Sequence, residues 1–272
     1  MATQHGDESR IEHKTAHKTE HKEERRIDVV SLYPRDMNIY GDTGNITVVL
    51  RRLELIGYTP VLHMYNQGDV WPDHADIILG GGGQDSGQRK IMDDFAKRAD
   101  TLRSLASAGV PMLMVCGMYQ LFGRSFTTLD GDIIPGISIF DAETVGGTKR
   151  LIGNVTEHTK EFGTIVGYEN HSGKTTIDDG SHTKRLGTVP AGQGNNGEDQ
   201  TEGARTANVI GTYCHGPLLP KNPQIADFLI KKAVINRYGE FMPMSTADQK
   251  KQLAKLDLLA RRAAAIAQNR PR

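Results

Sequence analysis

A cysteine at the end of an apolar run is the first residue that could do chemistry. Cys116 closes VPMLMVC and is followed at once by Gly117 and the helix-like GMYQLFG. Free cysteine is often a small core hydrophobe. A buried strand ending in Cys, then Gly, then a helix, equally describes a nucleophile elbow, which pushes the side chain out at the carboxyl edge of a sheet. A helix start favours the thiolate, and backbone N–H groups there can hold an oxyanion. The elbow is imperfect: a strict Gly-x-Cys-x-Gly would put glycine at 114 and 118, and both are methionine.

A nucleophilic thiol needs a base. His215 ends the strand-like NVIGTYCHGPLL, where Gly216 and Pro217 break the strand. The alternatives are a strand-end histidine satisfied by backbone, and His171 in GYENHSG as a rival base. Cys214 precedes His215, faces the other way on a strand, and reads as core. The glycines of LGGGGQD, Gly80–Gly83, follow a strand and can bring N–H groups close to a substrate, or simply form a flexible turn. They are not a phosphate loop, because no Lys-Ser or Lys-Thr follows; Gly173-Lys174-Thr175 has the right tail but the wrong glycine spacing. No nucleotide site is expected on this chain. Asp42 and Asn45 of YGDTGN either cap the helix that follows, or shape a site mouth or a partner contact.

The elements that must position these residues alternate β and α in the first half. IDVVSLYP, YTPVLHMY, ADIILG and VPMLMVC read as strands; ITVVLRRLELIG, residues 88–108 and GMYQLFG read as helices. Such alternation predicts an α/β fold with an open, mostly parallel sheet flanked by helices. The second half adds strands: RLIGNVTEH, GTIVGYENHSG, RLGTVP and NVIGTYCHG, with 192–206 as a polar loop. NPQIADFLIKKAVINRYG and the segment from Ser245 onward read as helices, the latter capped by Ser245 or Thr246. The expected organisation is a charged, disordered tail over 1–26, one domain over 27–240, and a helical extension over 243–272. His13, His17 and His21 in the tail recur every fourth residue, a spacing that could hold a metal on a helix; a solvated tail is the simpler reading.

The chain has 272 residues with 33 basic and 33 acidic side chains, a formal net charge of zero. That argues against a broad electrostatic grip on nucleic acid. No apolar run approaches the ~18 residues of a membrane span, and the first twenty residues lack a signal-like apolar centre. Two cysteines are too few for a disulfide framework, so reduced thiols and a cytoplasmic location are expected.

Six stretches, MNIYGDTGN, ILGGGGQD, VCGMYQLFG, TKRLIGN, GYENHSG and GTYCHGPLLPKNP, occur in that order over roughly 27–240. Together they resemble the class I glutamine amidotransferases of the cobyric-acid-synthase type, with a flavodoxin-like sheet. The resemblance implies that Cys116 attacks the carboxamide of L-glutamine and that His215 shuttles the proton. It implies that Arg150 binds the substrate, and that backbone near Gly82 and Gly117 forms the oxyanion hole. Many members carry His-x-Glu; here Pro217 stands two beyond His215, so a Cys–His dyad, or a triad completed by an acid elsewhere, is expected. Within the family the likeness points to glutaminases that work as heterodimers. Their partner is a separate Mur-ligase-like synthetase, which binds ATP and Mg and amidates the D-glutamate α-carboxyl of lipid II at the inner face of the membrane. No cofactor or metal is expected on this chain. The competing readings are an amidotransferase for another acceptor such as a corrinoid carboxylate, a stand-alone cysteine hydrolase, and a non-catalytic scaffold.

Overall fold

The computed structural model describes residues 25–270; the histidine-rich stretch 13–21 lies outside them. In chain order the elements are β1 (Arg26–Leu32), α1 (Thr43–Leu55), β2 (Thr59–Tyr65), β3 (Ile77–Gly80), α2 (Asp85–Ser107), β4 (Met112–Val115) and α3 (Gly117–Phe122). There follow β5 (Ser125–Thr127), β6 (Ile133–Pro135), β7 (Ala142–Thr159), β8 (Gly163–Ile177), β9 (Lys184–Ala191), β10 (Thr201–Thr206) and β11 (Val209–Thr212). Helices α4 (Pro223–Tyr238) and α5 (Ala247–Gln268) close the chain.

The sheet runs β2-β1-β3-β4-β11-β10-β9-β7-β5-β6, with β8 paired to β7. The half from β2 to β11 is parallel. Its strands β3 and β4 are buried throughout and read as unbroken apolar runs, as strands covered on both faces must. Beyond β11 the pairing turns antiparallel through β10 and β9, and the long β7–β8 hairpin crosses that end. The α/β architecture with extra strands in the second half is therefore the one expected.

Local chemistry explains most boundaries. Gly57, at φ 88°, follows α1, and Gly239, at φ 83°, closes α4 in the left-handed region that favours glycine. Thr246 and Gln249 form a capping box on α5. Two expectations fail. Residues 201–206, read as loop, form β10: the polar run TEGART hides its acid, with Glu202 fully buried and accepting the Tyr213 N–H at 2.6 Å and the Thr212 hydroxyl at 3.0 Å. Nor does Asn45 cap α1; it lies inside the helix and its Oδ1 accepts the Leu219 N–H at 2.8 Å.

Candidate active site

The register of the parallel strands brings three loops to one edge. Gly80 of β3 lies beside Met114 of β4, and Thr212 of β11 beside Val115. The residues that leave these strand ends are the Gly80–Gly83 loop, Cys116 and the segment to His215. Cys116 sits at φ 51° and ψ −108°, a left-handed conformation uncommon for a side chain with a Cβ. It is the strained turn of an elbow. The methionines that spoil the sequence pattern are accommodated by the neighbouring strand: a Cβ at Gly80 would lie 2.9 Å from both Met114 Sδ and Met118 Cγ. Glycine at 117 lets the elbow lie close to the Gly80–Gly83 loop: a Cβ there would be 2.8 Å from Met37 Cε and 3.1 Å from Gly83 N.

Gly82 marks the centre of the cluster. A Cβ on it would meet His215 Cε1 at 2.9 Å, Tyr40 Cδ2 at 3.0 Å and Cys116 Cβ at 3.3 Å. The thiol-bearing and imidazole-bearing residues expected from the sequence thus converge on one point. His215 is fixed through its backbone, its N–H donating to Tyr168 O at 2.8 Å. Its ring lies against Tyr40 at 4.3 Å between centroids. Both groups are neutral at rest. Burial, reinforced by the Asp42 charge, pushes the Cys116 thiol up to about 12, against the Gly117 N–H and Arg150. Burial, with His171 and Arg150 adding to it, holds the His215 imidazole down to about 3. A helix start favours the thiolate, but the dry surroundings outweigh that here.

Arg150 projects from the irregularity in the β7–β8 hairpin between Gly146 and Leu151. Its Nε–H donates to Asn170 Oδ1 at 2.6 Å and its Nη2–H to the Tyr40 hydroxyl at 2.9 Å. The side chain lines a cavity of about 360 Å³ together with Tyr40, Gln84, Cys116, Gln120, Asn170 and His171. This volume suits a small polar ligand. The rival base, His171, is part of the same wall but stacks on Tyr213 at 3.6 Å and donates from Nδ1 to Gly173 O at 2.7 Å. Its Nε2 finds no hydrogen-bond partner among the described residues, and burial holds the ring down to about 4.

Two features of the site were missed or left open by sequence reasoning. The Gly82 N–H is not free for an oxyanion: it donates to Asp42 Oδ2 at 2.7 Å. Asp42 itself, at the N-cap position of α1, makes no side-chain cap bond and instead lies 3.9 Å from His215 Nδ1. Its place in YGDTGN carried no signal that could have told a cap from a site residue. Cys214 is fully buried and packs on Gly167, away from the cavity. Among the described residues, Glu157, Glu202 and Cys214 are the one cluster with metal-like spacing, and none of the three lines the cavity.

Fold and edge cluster together define a class I glutamine amidotransferase-like architecture. Two solved structures share the fold: PurLQS from Thermotoga maritima, 16% identical with a TM-score of 0.50, covering 79% of this chain and 99% of that one; and a glutamine amidotransferase, 14% identical with a TM-score of 0.52, covering 75% and 98%. The chain belongs to the CobB/CobQ-like glutamine amidotransferase domain family, whose model matches residues 28–223. Among its relatives is the GatD subunit of lipid II isoglutaminyl synthase (glutamine-hydrolysing) from Staphylococcus aureus, 37% identical over 226 residues, 83% of this chain and 91% of that protein. The GatD subunit from Streptococcus pneumoniae is 34% identical over 79% of this chain and 83% of that protein. A probable cobyric acid synthase from Methanoregula boonei is 30% identical, over 59% of this chain and only 34% of its own length.

Proposed function

We propose that this chain is the glutamine-hydrolysing subunit of a lipid II isoglutaminyl synthase, releasing ammonia for a second, ATP-dependent chain. The observation that carries the chemistry is the convergence of Cys116 and His215 on Gly82 beneath Arg150. The acceptor follows from the GatD relatives, which match over nearly their whole length, whereas the cobyric acid synthase matches over a third of its own.

In this reading Arg150 pairs with the α-carboxylate of L-glutamine, a geometry suited to a guanidinium already held by Tyr40 and Asn170. The neutral imidazole of His215 takes the thiol proton as Cys116 Sγ attacks the carboxamide carbon. The oxyanion that forms is met by N–H groups at Gly117 and Gly83, because that of Gly82 is engaged. Collapse breaks the C–N bond; the amine leaves as ammonia with the proton from His215. A γ-glutamyl thioester remains. Water then attacks it, gives a proton to His215, and the thiolate leaves and is reprotonated, yielding glutamate.

The partner is a Mur-ligase-like chain of the MurT type that holds ATP and Mg and activates the D-glutamate α-carboxyl of lipid II. Among the described residues no helix is long and apolar enough to cross a membrane. In this reading the pair works from the cytoplasmic side, at the membrane's inner face, where lipid II would be amidated. The test is ammonia release from L-glutamine by wild type and Cys116→Ala, each alone and with that partner, followed by mass spectrometry of lipid II. Hydrolysis that needs Cys116, rises with the partner and amidates lipid II is expected. Unchanged hydrolysis in Cys116→Ala would remove the mechanism, and a corrinoid product in place of amidated lipid II would move the acceptor.

A further inference from the structure

Position 217, where an acid two residues beyond the base would stand, is proline, and its ring packs on Gly44 in the first turn of α1, where no Cβ would fit. Two residues before Gly44 is Asp42. It is 6% exposed and His215 is 2% exposed, so both are out of water. Buried polar atoms are nearly always partnered. Yet Asp42 Oδ1 and both ring nitrogens of His215 find no hydrogen-bond partner among the described residues. The two side chains approach each other, with Asp42 Oδ2 3.9 Å from His215 Nδ1.

The ordinary explanation for an aspartate before a helix is capping, and the structure excludes it, because Asp42 makes no cap bond. Its carboxylate is instead aimed away from the helix by the Gly82 N–H at 2.7 Å. That bond ties the acid to the same loop that separates His215 from Cys116. We propose that Asp42 is a positioning residue for the reaction: it holds the proton of neutral His215 on Nδ1, leaving the Nε2 lone pair to take the thiol proton, and it stabilises the imidazolium that then forms. The inference rests on the glutaminase reading above and supplies it with a third member from α1 rather than from the strand that carries the base. Catalytic hydrogen bonds commonly tighten only when substrate is bound, which closes a gap of this size.

The other groups that face this pair are Cys116, Tyr40, Arg150 and His171, with Asp85 acting on the thiol. None supplies a second carboxylate to the ring. Burial raises the Asp42 carboxyl to about 6, against the Gly82 N–H, so it is ionised above that pH. His215 stays neutral far below it. An acid limb near pH 6 therefore belongs to Asp42, with activity lost as pH falls.

The test is Asp42→Asn in the full-length chain, with its partner present. Asparagine keeps an Oδ acceptor for Gly82, so the loop holds. Glutamine hydrolysis is expected to lose about 10- to 1,000-fold in kcat, with KM within about threefold, and the acid limb should vanish. In a His215→Ala background the same change should cost nothing more. Independently of any substrate, ¹⁵N spectra of the histidine ring should report the Nδ1–H tautomer in wild type and its loss in Asp42→Asn. An unchanged tautomer, an unchanged limb, or an equal loss without His215 would overturn the proposal. Absence of glutamine turnover by wild type would sink the glutaminase reading instead, and the ring spectra would still decide the role of Asp42.

Discussion

Arg150 and Tyr40 act as a pair at the mouth of the cavity. The guanidinium is spread between Asn170 Oδ1 and the Tyr40 hydroxyl, so part of its fork is held before any ligand arrives. Preorganisation of this kind lowers the entropy lost on binding. Arg150→Ala should therefore raise KM for L-glutamine by at least about tenfold, the loss of one charge-assisted pair, while kcat changes little. Arg150→Lys should recover little, because an ammonium cannot reach Asn170, Tyr40 and a carboxylate at once. Steady-state kinetics on the two variants check both. The resting Cys116 is a thiol, not a thiolate. Alkylation by iodoacetamide should therefore be slow at neutral pH and rise steeply with alkali, whereas a glutamine-shaped chloroketone should react faster because it is positioned against His215.

At the scale of elements, β10 and β7 bury an acid each where strands usually bury apolar groups. Glu157 on β7 is fully buried and neither of its carboxyl oxygens meets a donor. Burial, with the Glu202 charge and a bond from the neutral Glu157 carboxyl to Glu202 adding to it, pushes Glu157 well above the ordinary range; burial raises Glu202 too, against the Tyr213 N–H, the Thr212 hydroxyl and that same Glu157 bond. Both are raised in the folded state, so the sign is fixed. Their contribution to stability is full below the unfolded carboxylate pKa of about 4.3 and is lost as pH rises through the folded values. Glu157→Ile removes an acid that finds no donor and suits a strand. It should stabilise the protein at pH 8 by about 1–3 kcal/mol and flatten the decline in melting temperature between pH 5 and 8, read by calorimetry.

For the whole molecule, the last helix is tied to the sheet's flank through one buried cation. Arg52 of α1 donates to Asp227 of α4 at 2.7 Å and to Asp257 of α5 at 2.8 Å. Main-chain and side-chain bonds reinforce this junction: Met244 N–H to Ile56 O, the Ser245 hydroxyl to Leu55 O, and Gln249 Nε2–H to Glu54 O. Most of α5 nonetheless faces solvent; only Ala260 is buried. Arg52→Leu should therefore cost about 1–2 kcal/mol in urea unfolding, since the two stranded aspartates can be hydrated. Glutamine hydrolysis should be unaffected, because the junction is remote from the cavity wall.

The parallel half of the sheet and the placing of Cys116 and His215 at strand ends were legible in the sequence because each rests on local pattern. Apolar runs bounded by glycine mark β3 and β4, and a Cys-Gly or His-Gly-Pro at a strand end marks a side chain presented at a turn. The Arg150 assignment needed the family resemblance, since a charged residue in a strand has no local signature of a ligand contact. Strand β10 was unreadable because its polar residues satisfy themselves through Tyr213 and Thr212, a contact across the sheet rather than along the chain. The same holds for Asp42. Composition and spacing determined that this protein has a cysteine and a histidine poised on an α/β edge. Only the tertiary structure decided that the thiol rests protonated, that Gly82 spends its N–H on an aspartate, and that this aspartate faces the base. Burial and through-space approach set each of these, and neither is a property of any stretch of sequence.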